Sequence, residues 1–266
     1  MTTRRPLALV TGASRGIGYA LAEQLIDRGY DVVVTAEDTE IDFAAATLRR
    51  SYAQVGSIRA DLRTDDGVQR LYEFACQDGR PLEVVALNAG VGRGGAAFTE
   101  TGLDEDFDLI ALNVRSTVHL AKLVLPDMVE RNAGKLLFTS SIAAMMPGAN
   151  MALYNASKSF VQSFAEALRE ELRSTGITVT ALMPGPTDTD FFRRAKMLDT
   201  PMGRGPKEDP VLIARQGIDA LLHDKRKVIA GSVPTKVAGL ISRVLPDSIK
   251  AKGSKLMASV PGASSR

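Results

Sequence analysis

Short apolar runs alternate along the chain with longer segments whose apolar residues recur at helical spacing. The short runs consist largely of Val, Ile and Leu without strict polar alternation, which is typical of strands buried on both faces. They are Leu7–Val10, Val32–Val34, Ser57–Ala60, Val84–Leu87, Leu136–Thr139, Thr178–Leu182 and Val228–Ala230. The helical segments between them include Ile17–Arg28, Asp65–Gln77, Phe107–Arg131 and Ser157–Ser174.

This alternation predicts a doubly wound α/β fold of the Rossmann type. A strand, a helix and the next strand in succession form a crossover unit, which makes the two strands parallel and places the helix on a face of the sheet. Seven such runs predict a seven-stranded parallel sheet with helices on both faces. We expect residues 1–266 to form a single domain.

One long connection interrupts the alternation. Residues 190–210 contain three prolines, two glycines and mixed charge, which suppress any regular period. A connection of this length in a compact domain is more often a binding loop or lid than a plain link. We therefore predict that residues 190–210 cover a substrate site.

The charges are unevenly placed, although Lys and Arg (33) nearly balance Asp and Glu (31) over the whole chain. Residues 225–266 carry nine basic side chains and one acidic one, Asp247. Within this segment, residues 232–266 also have apolar positions at helical spacing, which predicts a basic amphipathic extension: Val237, Leu240, Ile241, Val244 and Leu245. Contact with an anionic membrane surface, a flap over an apolar pocket and a solvated helix all fit this pattern. Nucleic acid does not, because the segment has no aromatic residue to stack on bases.

Cysteine and histidine usage excludes two classes of site. A lone cysteine, Cys76, cannot form an internal disulfide, and two histidines in the whole chain make a Cys/His metal site unexpected. We expect no bound metal. No apolar run is long enough to span a bilayer, since Lys236 and Arg243 interrupt the best candidate. We expect a cytoplasmic protein.

A glycine-rich turn follows the first predicted strand and opens the first predicted helix. Glycines allow the backbone to approach a pyrophosphate, and a helix N-terminus offers free N–H groups and the positive end of its dipole. The turn therefore predicts a dinucleotide site. Its candidate residues are Gly12, Ser14, Arg15, Gly16, Ile17 and Gly18.

Tyr154 and Lys158 lie four residues apart at the start of a helical segment, so their side chains share one face. A phenol with a pKa of about 10 is a poor acid or base at neutral pH. A nearby ammonium favours the phenolate, so we expect Lys158 to lower the pKa of Tyr154. The pair thus predicts a general acid/base.

Several motifs in one order resemble those of the short-chain dehydrogenase/reductase family over about the first 190 residues. They are the Thr-Gly-x-x-x-Gly-x-Gly turn at Thr11–Gly18, Asp61, Asn88-Ala89-Gly90, Asn113, Ser141, Tyr154-Asn155-Ala156-Ser157-Lys158, Pro184-Gly185 and Thr189. The resemblance implies an NAD(P)-dependent oxidoreductase that transfers a hydride between the cofactor and a ketone or secondary alcohol. The alternative is a sensor or regulatory protein that binds the cofactor without turnover.

The resemblance assigns four catalytic residues. Tyr154 exchanges the proton with the substrate oxygen, and Lys158 also binds the ribose next to the nicotinamide. Ser141, rather than its neighbour Ser140, orients the carbonyl, because it stands thirteen positions before Tyr154. Asn113 holds a water molecule that links the lysine to solvent.

The remaining cofactor residues also follow from the resemblance. Beyond the glycine turn, Tyr154 and Lys158, they are Asp61 and Leu62 at the adenine, Asn88, Ala89 and Gly90 at the adenosine ribose, and Pro184, Gly185, Thr187 and Thr189 at the nicotinamide. Arg15, and Ala36 in place of an aspartate, favour NADP(H) over NAD(H). Glu37 and Asp38 argue against a bound 2′-phosphate, because they would repel it or pair with Arg15.

Six of the eight methionines after Met1 fall between residues 145 and 202. Methionine is flexible and adapts to varied apolar shapes, so the cluster predicts an apolar, lipid-, steroid- or polyketide-like substrate. The stripe Phe160, Phe164, Leu168 and Leu172 packs either on the sheet or on a second subunit. We expect a homodimer or homotetramer.

Overall fold

The computed structural model describes residues 4–49, 53–241 and 245–259. Each predicted strand is present, with ends that differ by up to two residues from the predicted ones. The strands are β1 Leu7–Thr11, β2 Asp31–Ala36, β3 Val55–Arg59, β4 Leu82–Leu87, β5 Gly134–Thr139, β6 Ile177–Pro184 and β7 Lys227–Ala230. They form one parallel sheet in the order β3-β2-β1-β4-β5-β6-β7, which confirms the predicted seven-stranded doubly wound fold.

The central strands do not alternate polar and apolar residues because helices cover both faces of the sheet. All five residues of β1 are buried, and Leu9 pairs with Val33 of β2 on one side and Val85 of β4 on the other. A polar side chain on either face would therefore lie in the core without water.

Helices cover the two faces of the sheet. They are α1 Gly16–Asp27, α2 Glu40–Leu48, α3 Asp65–Cys76, α4 Leu103–Ile110, α5 Ser116–Glu130, α6 Ala152–Glu171, α7 Phe191–Arg194, α8 Pro201–Arg204, α9 Pro210–Leu222, α10 Val233–Ile241 and α11 Asp247–Ala258. Residues of α1, α2 and α9 fill one apolar core, and residues of α3, α5 and α6 fill the other.

The predicted helix Phe107–Arg131 begins earlier, at Leu103, and contains a π-helical turn. It is divided into α4 and α5 by a π-helical turn, Ala111–Arg115. The hydroxyls of Ser116 and Thr117 donate to the carbonyls of Leu112 (2.5 Å) and Asn113 (3.0 Å) and so satisfy backbone groups at the turn. The turn is only five residues long within a longer helical segment, so periodicity did not reveal it.

The long connection predicted as a lid contains two single-turn helices, α7 and α8. Thr200 begins α8 with a side-chain cap, since its Oγ1 accepts from the Gly203 N–H at 3.0 Å. Apolar residues of the connection, among them Phe192 and Met197, are buried in a third cluster together with Met151 and Tyr154. The connection is therefore packed against the part of the molecule that carries Tyr154.

The C-terminal segment forms α10 and α11. Ser254 and Ala258 of α11 are buried, α11 contacts α8, and Asn150 Nδ2 donates to Ser259 Oγ at 2.9 Å. Val244, which we placed in a predicted amphipathic helix, lies outside the described residues, as do residues 260–266. None of the described helices is both long enough and apolar enough to cross a membrane.

The strand order reverses between β1 and β4. From β1 the chain proceeds outward to β2 and β3, and then returns to the other side of β1 with β4. The crossover helices therefore lie on opposite faces, which leaves a crevice beyond the carboxyl ends of β1 and β4. Ligands of doubly wound proteins bind in this crevice, and the glycine turn lies there.

Candidate active site

A single cavity at the carboxyl edge of the sheet gathers the predicted site residues. Each catalytic or cofactor residue predicted from the sequence lines it, with the exception of Asn113. These residues come from six chain segments between Gly12 and Thr189, which only the parallel sheet brings to one edge.

The glycine turn is shaped for a phosphate. Gly12 has φ +67°, a conformation that disfavours a side chain. A Cβ on Gly18 would lie 2.1 Å from the Gly12 carbonyl oxygen, so α1 and the turn approach each other closely. No side chain caps α1, and its first turn has no acidic residue, which leaves the amides of its first turn available to an anion.

Hydrogen bonds between strand ends form the floor of the cavity. Thr11 Oγ1 accepts from the backbone N–H groups of Asn88 and Ala89, both at 2.9 Å, and Asn88 Nδ2 donates to the Thr11 carbonyl at 3.0 Å. Thr139 Oγ1 donates to Asn88 Oδ1 at 3.1 Å. Sequence reasoning gave Thr11 only as the start of the glycine-turn motif and missed Thr139, although a polar residue ending a buried strand was an available signal.

Tyr154 and Lys158 share a face of α6 as predicted, but the expected effect on Tyr154 is wrong. Burial raises the pKa of Tyr154 to about 12, although a hydrogen bond with Ser141 opposes the shift. Lys158 Nζ donates to the Thr139 carbonyl at 2.9 Å and lies 5.9 Å from the centre of the Tyr154 ring. Burial also lowers the pKa of Lys158 to about 8, because charge is costly at this depth.

The two adjacent serines face different partners. Ser141 hydrogen-bonds Tyr154 and accepts from the Ala143 N–H at 3.1 Å, which caps a short 3₁₀ turn. Ser140 Oγ instead donates to the Lys158 carbonyl at 3.0 Å and so ties β5 to α6. Ser141 is therefore the serine whose hydroxyl is placed beside the phenol.

Asn113 is buried in the π-helical turn behind the cavity wall. Its Oδ1 accepts from the Val91 N–H at 2.9 Å, and its Nδ2 donates to the Val91 carbonyl (2.9 Å) and to Ser157 Oγ (3.0 Å). Both amide hydrogens are thus engaged. The side chain therefore holds the loop after β4 against α6, and its part in a water relay stays a prediction.

Ion pairs crowd the adenosine end of the cavity. Arg15 pairs with Asp38 (2.8 Å), Glu40 (2.5 Å) and Asp190 (2.6 Å); burial opposes its charge, but these partners outweigh burial and raise its pKa. Arg193 and Arg15 lower the pKa of Asp190 to about 2. Within the described chain, Arg15 Nε and Asp38 Oδ1 are buried without a hydrogen-bond partner.

A second group of ion pairs lies beside the first. Glu37 pairs with Arg194 of α7 at 2.7 Å and with Arg63, and Arg63 Nε reaches Asp61 Oδ1 at 3.0 Å. Arg63 and Arg194 were missed from the sequence, because nothing in the local pattern places them beside Glu37.

The loop after β6 spans the cavity, since Asp190 pairs with Arg15 at one end and Phe191 reaches Tyr154 at the other. Thr187 Oγ1 donates to the Gly185 carbonyl at 2.9 Å, and Thr189 Oγ1 accepts from the Phe191 N–H at 3.2 Å. The Phe191 ring lies 5.3 Å from the Tyr154 ring, between centroids, at a tilt of 56°. Sequence reasoning named the lid but missed Phe191 as a neighbour of the phenol.

Apolar side chains surround Tyr154. Met146, Met151 and Met202 line the cavity, as does Ser254 of α11, whereas Met183 and Met197 are core residues. The methionine cluster therefore divides between the cavity and the packing beneath it.

The residues fit a nicotinamide dinucleotide. Free amides at α1 suit a pyrophosphate, the unpaired Arg15 and Asp38 atoms lie at the adenosine end, and Tyr154 and Lys158 lie at the other end. Fold and site together define a dinucleotide-binding oxidoreductase of the doubly wound type.

A family model for short chain dehydrogenase matches residues 6–197. The match covers most of the chain and every motif on which the resemblance rests. The chain therefore belongs to the short-chain dehydrogenase/reductase family of NAD(P)-dependent oxidoreductases.

Known relatives agree with this assignment. The chain is 35% identical over 195 residues to a 3-oxoacyl-(acyl-carrier-protein) reductase of Pseudomonas aeruginosa, over 73% of this chain and 78% of that protein. A short-chain dehydrogenase from Sphingobium yanoikuyae, solved with NADPH, is 27% identical with a TM-score of 0.80 and 98% of each chain covered. A Burkholderia phymatum member solved with NAD shares the fold at 23% identity, with a TM-score of 0.82 over 100% of both chains.

Proposed function

We propose that the protein is an NADP(H)-dependent oxidoreductase that interconverts an apolar ketone and its secondary alcohol, with Tyr154 as the general acid/base. The observation that carries this proposal is the grouping of Tyr154, Ser141 and Lys158 at the apolar end of a dinucleotide-shaped cavity.

The cofactor, when bound, supplies or accepts the hydride. In the reductive direction, the hydroxyls of Ser141 and Tyr154 hydrogen-bond the substrate carbonyl oxygen and stabilise the charge that develops on it. Tyr154 then donates its proton to that oxygen. In the oxidative direction, the phenolate removes the alcohol proton.

The environment of Tyr154 suits proton donation. A pKa of about 12 keeps the phenol protonated at neutral pH, so the acid form is ready for reduction. Oxidation needs the phenolate, which the Lys158 ammonium favours when it approaches the hydroxyl. Lys158 also has the position to hydrogen-bond a ribose, since it lies on the cavity wall one helical turn from Tyr154.

An apolar substrate is supported by the groups around Tyr154. Met146, Met151, Met202 and Phe191 offer apolar, adaptable surface beside the reactive hydroxyl, and Ser254 adds a hydroxyl from α11. Such a surface accepts bulky shapes and gives little hydrogen bonding to small polar carbonyls.

NADP(H) is favoured over NAD(H) by the arginines at the end of β2. Arg15, Arg63 and Arg194 surround Glu37 and Asp38, and a 2′-phosphate could replace a carboxylate as the partner of Arg15. Asp38 Oδ1, left without a partner, argues for a ribose hydroxyl instead and therefore for NAD(H). We place more weight on the three cations.

The test is the substitution Tyr154→Phe in an assay of cofactor oxidation with ketones graded by size and polarity. We expect the rate to fall by about a thousandfold or more, because the proton donor is lost. Cofactor affinity should stay within about twofold of the wild type. The matched control is Tyr72→Phe on α3, which should change neither the rate nor the cofactor affinity. An unchanged rate in Tyr154→Phe would refute the catalytic role of Tyr154. Turnover by the wild type confined to small polar carbonyls would refute the apolar substrate. A wild type that binds the cofactor without any turnover would favour a sensor protein.

We also propose that the protein is a homodimer or homotetramer and acts in the cytoplasm. The first proposal is supported by α6, where Leu168 is buried on the sheet while Phe160 is 41% exposed and stacks on Phe164 at 5.8 Å. The predicted stripe is therefore packed in the core at Leu168 and partly exposed to solvent at Phe160. The cytoplasmic location remains a prediction from the sequence.

A further inference from the structure

Helix α10 packs closely on the body of the protein at Thr235 and Gly239. Gly239 is buried, and a Cβ there would lie 3.0 Å from Ile229 and 3.4 Å from Met145. Three aliphatic residues lie on the opposite face at a spacing of four: Val233, Val237 and Ile241 are 73%, 47% and 48% exposed. The helix therefore presents its apolar stripe to solvent.

Helix α11 repeats this arrangement. Ser254 and Ala258, four residues apart, are buried against the lid, whereas Ile249 and Leu256 on the other face are 53% and 73% exposed. Ile249 and Leu256 are seven residues apart, which places them two turns from each other on one side.

The two helices lie on the same side of the molecule, because both contact Met145. The Gly239 backbone packs beside its methyl group, and Lys250 Nζ donates to its carbonyl at 3.2 Å. We call the exposed aliphatic residues of both helices the C-terminal apolar surface: Val233, Val237, Ile241, Ile249 and Leu256. Large aliphatic residues repeated on the outer face of two successive helices indicate an interaction site.

The charges around this surface are positive. Lys252 and Lys255 are exposed on α11, and Lys236 lies on α10. The one acidic residue of this segment, Asp247, pairs with Lys250 at 2.6 Å, and Glu208 of the body is engaged by Ser232 and Thr235 at the start of α10. A surface of aliphatic residues flanked by lysines complements an anionic, apolar partner.

A second copy of the chain fits this surface less well, because a symmetric contact would bring the same lysines together. A lipid bilayer with anionic headgroups satisfies both features, since its acyl boundary takes aliphatic side chains while its headgroups pair with lysines. We propose that the C-terminal apolar surface docks the protein on an anionic membrane surface without crossing it.

Docking would also place the cavity near the lipid. Ser254 lines the cavity from the inner face of α11, whose outer face carries Leu256. This consequence, delivery of an apolar substrate from the bilayer, rests on the proposed function, whereas docking itself does not.

The test is co-sedimentation of the full chain with vesicles of phosphatidylcholine alone or mixed with phosphatidylglycerol. We expect binding only to the mixed vesicles and a loss of binding as salt is raised. The double variants Ile249→Ser with Leu256→Ser and Lys252→Glu with Lys255→Glu should each reduce the bound fraction by about fivefold or more. Matched controls are Val211→Ser, which removes an aliphatic side chain that is 44% exposed on α9, and Lys122→Glu on α5.

Ketone reduction in the absence of vesicles should be unchanged in all of these variants, which separates a failure of docking from a failure of the proposed function. Absence of binding to the mixed vesicles, or equal losses in the control variants, would overturn the proposal. Sedimentation velocity gives a further decisive outcome, since a wild-type dimer that Leu256→Ser dissociates would identify the surface as a contact between copies.

Discussion

Lys158 shows the cost of placing a catalytic group in the interior. Its ammonium is buried, and its pKa of about 8 means that the folded state resists the charge that the unfolded chain carries freely. The residue that we propose binds the cofactor therefore destabilises the folded protein. Active-site groups often show this opposition between stability and activity.

The substitution Lys158→Met should therefore stabilise the protein while abolishing activity. The lowered pKa of Lys158 corresponds to a loss of about 3 kcal/mol in the free energy of unfolding of the wild type, which the variant regains. The variant also loses the hydrogen bond from Lys158 to the Thr139 carbonyl, which lowers its free energy of unfolding by about 1 kcal/mol. Between pH 8 and 10.5 the unfolded chain binds more protons than the folded one, so wild-type stability rises with pH and the advantage of the variant shrinks.

Urea unfolding of both proteins at pH 7 and about pH 9.5 measures this difference. Lys122→Met, at an exposed position on α5, is the control and should change stability little at either pH. A variant that is less stable than wild type at pH 7 would contradict the prediction.

Arg15 is the residue on which the cofactor preference depends. Replacing it with alanine removes a partner for a 2′-phosphate and also frees Asp38 to bind ribose hydroxyls. We expect Arg15→Ala to weaken NADPH binding by about tenfold or more and to leave NADH binding equal or stronger.

Fluorescence titration with each cofactor measures the two affinities. Arg173→Ala, in an exposed ion pair with Glu170 just after the end of α6, controls for the loss of a surface arginine. Equal losses for NADPH and NADH would mean that Arg15 supports the turn rather than the phosphate, and a wild type that prefers NADH would refute the proposed cofactor.

At the scale of elements, the contact between the glycine turn and α1 is the most constrained junction of the cofactor site. A Cβ at Gly18 would lie 2.1 Å from the Gly12 carbonyl oxygen and 2.6 Å from Asn88 Nδ2. Neither atom can move freely, since one is backbone and the other donates to the Thr11 carbonyl.

We therefore expect Gly18→Ala to push α1 away from the turn, to weaken cofactor binding by about tenfold and to lower stability by about 1–3 kcal/mol. Gly253→Ala on α11 is the matched control, because no atom of the described residues lies within 4 Å of the added methyl group. Better helix propensity should make that control equal to or slightly more stable than wild type. Thermal unfolding and cofactor titration give both readouts, and full affinity in Gly18→Ala would show that the turn tolerates the displacement.

At the scale of the whole molecule, the proposed assembly depends on rings that one subunit does not cover. Phe160 is 41% exposed on α6 although its neighbours along the stripe pack inward. Phe160→Glu should shift a wild-type dimer or tetramer toward monomer in sedimentation velocity, because a charge would be buried at the contact. Phe43→Glu on α2, where the ring is 75% exposed, should leave the assembly intact. A monomeric wild type would contradict the prediction.

Periodicity and motif spacing were enough to predict the seven strands, the glycine turn and the Tyr154–Lys158 pair. These features are local: a buried strand needs only a run of apolar residues, and four residues make one helical turn. The same locality hid the π-helical turn around Asn113, because a single π turn is too short to change the helical period of the whole segment.

Burial and contacts between distant segments decided the features that the sequence did not predict. The pKa of Tyr154 rises rather than falls, because the depth of its site outweighs a neighbouring ammonium that is bound to Thr139. Arg63 and Arg194 meet at Glu37 from positions far apart in the chain, which no local pattern encodes. Spacing along the chain therefore specified which residues share a face, while packing of distant segments set the electrostatic environment in which those residues work.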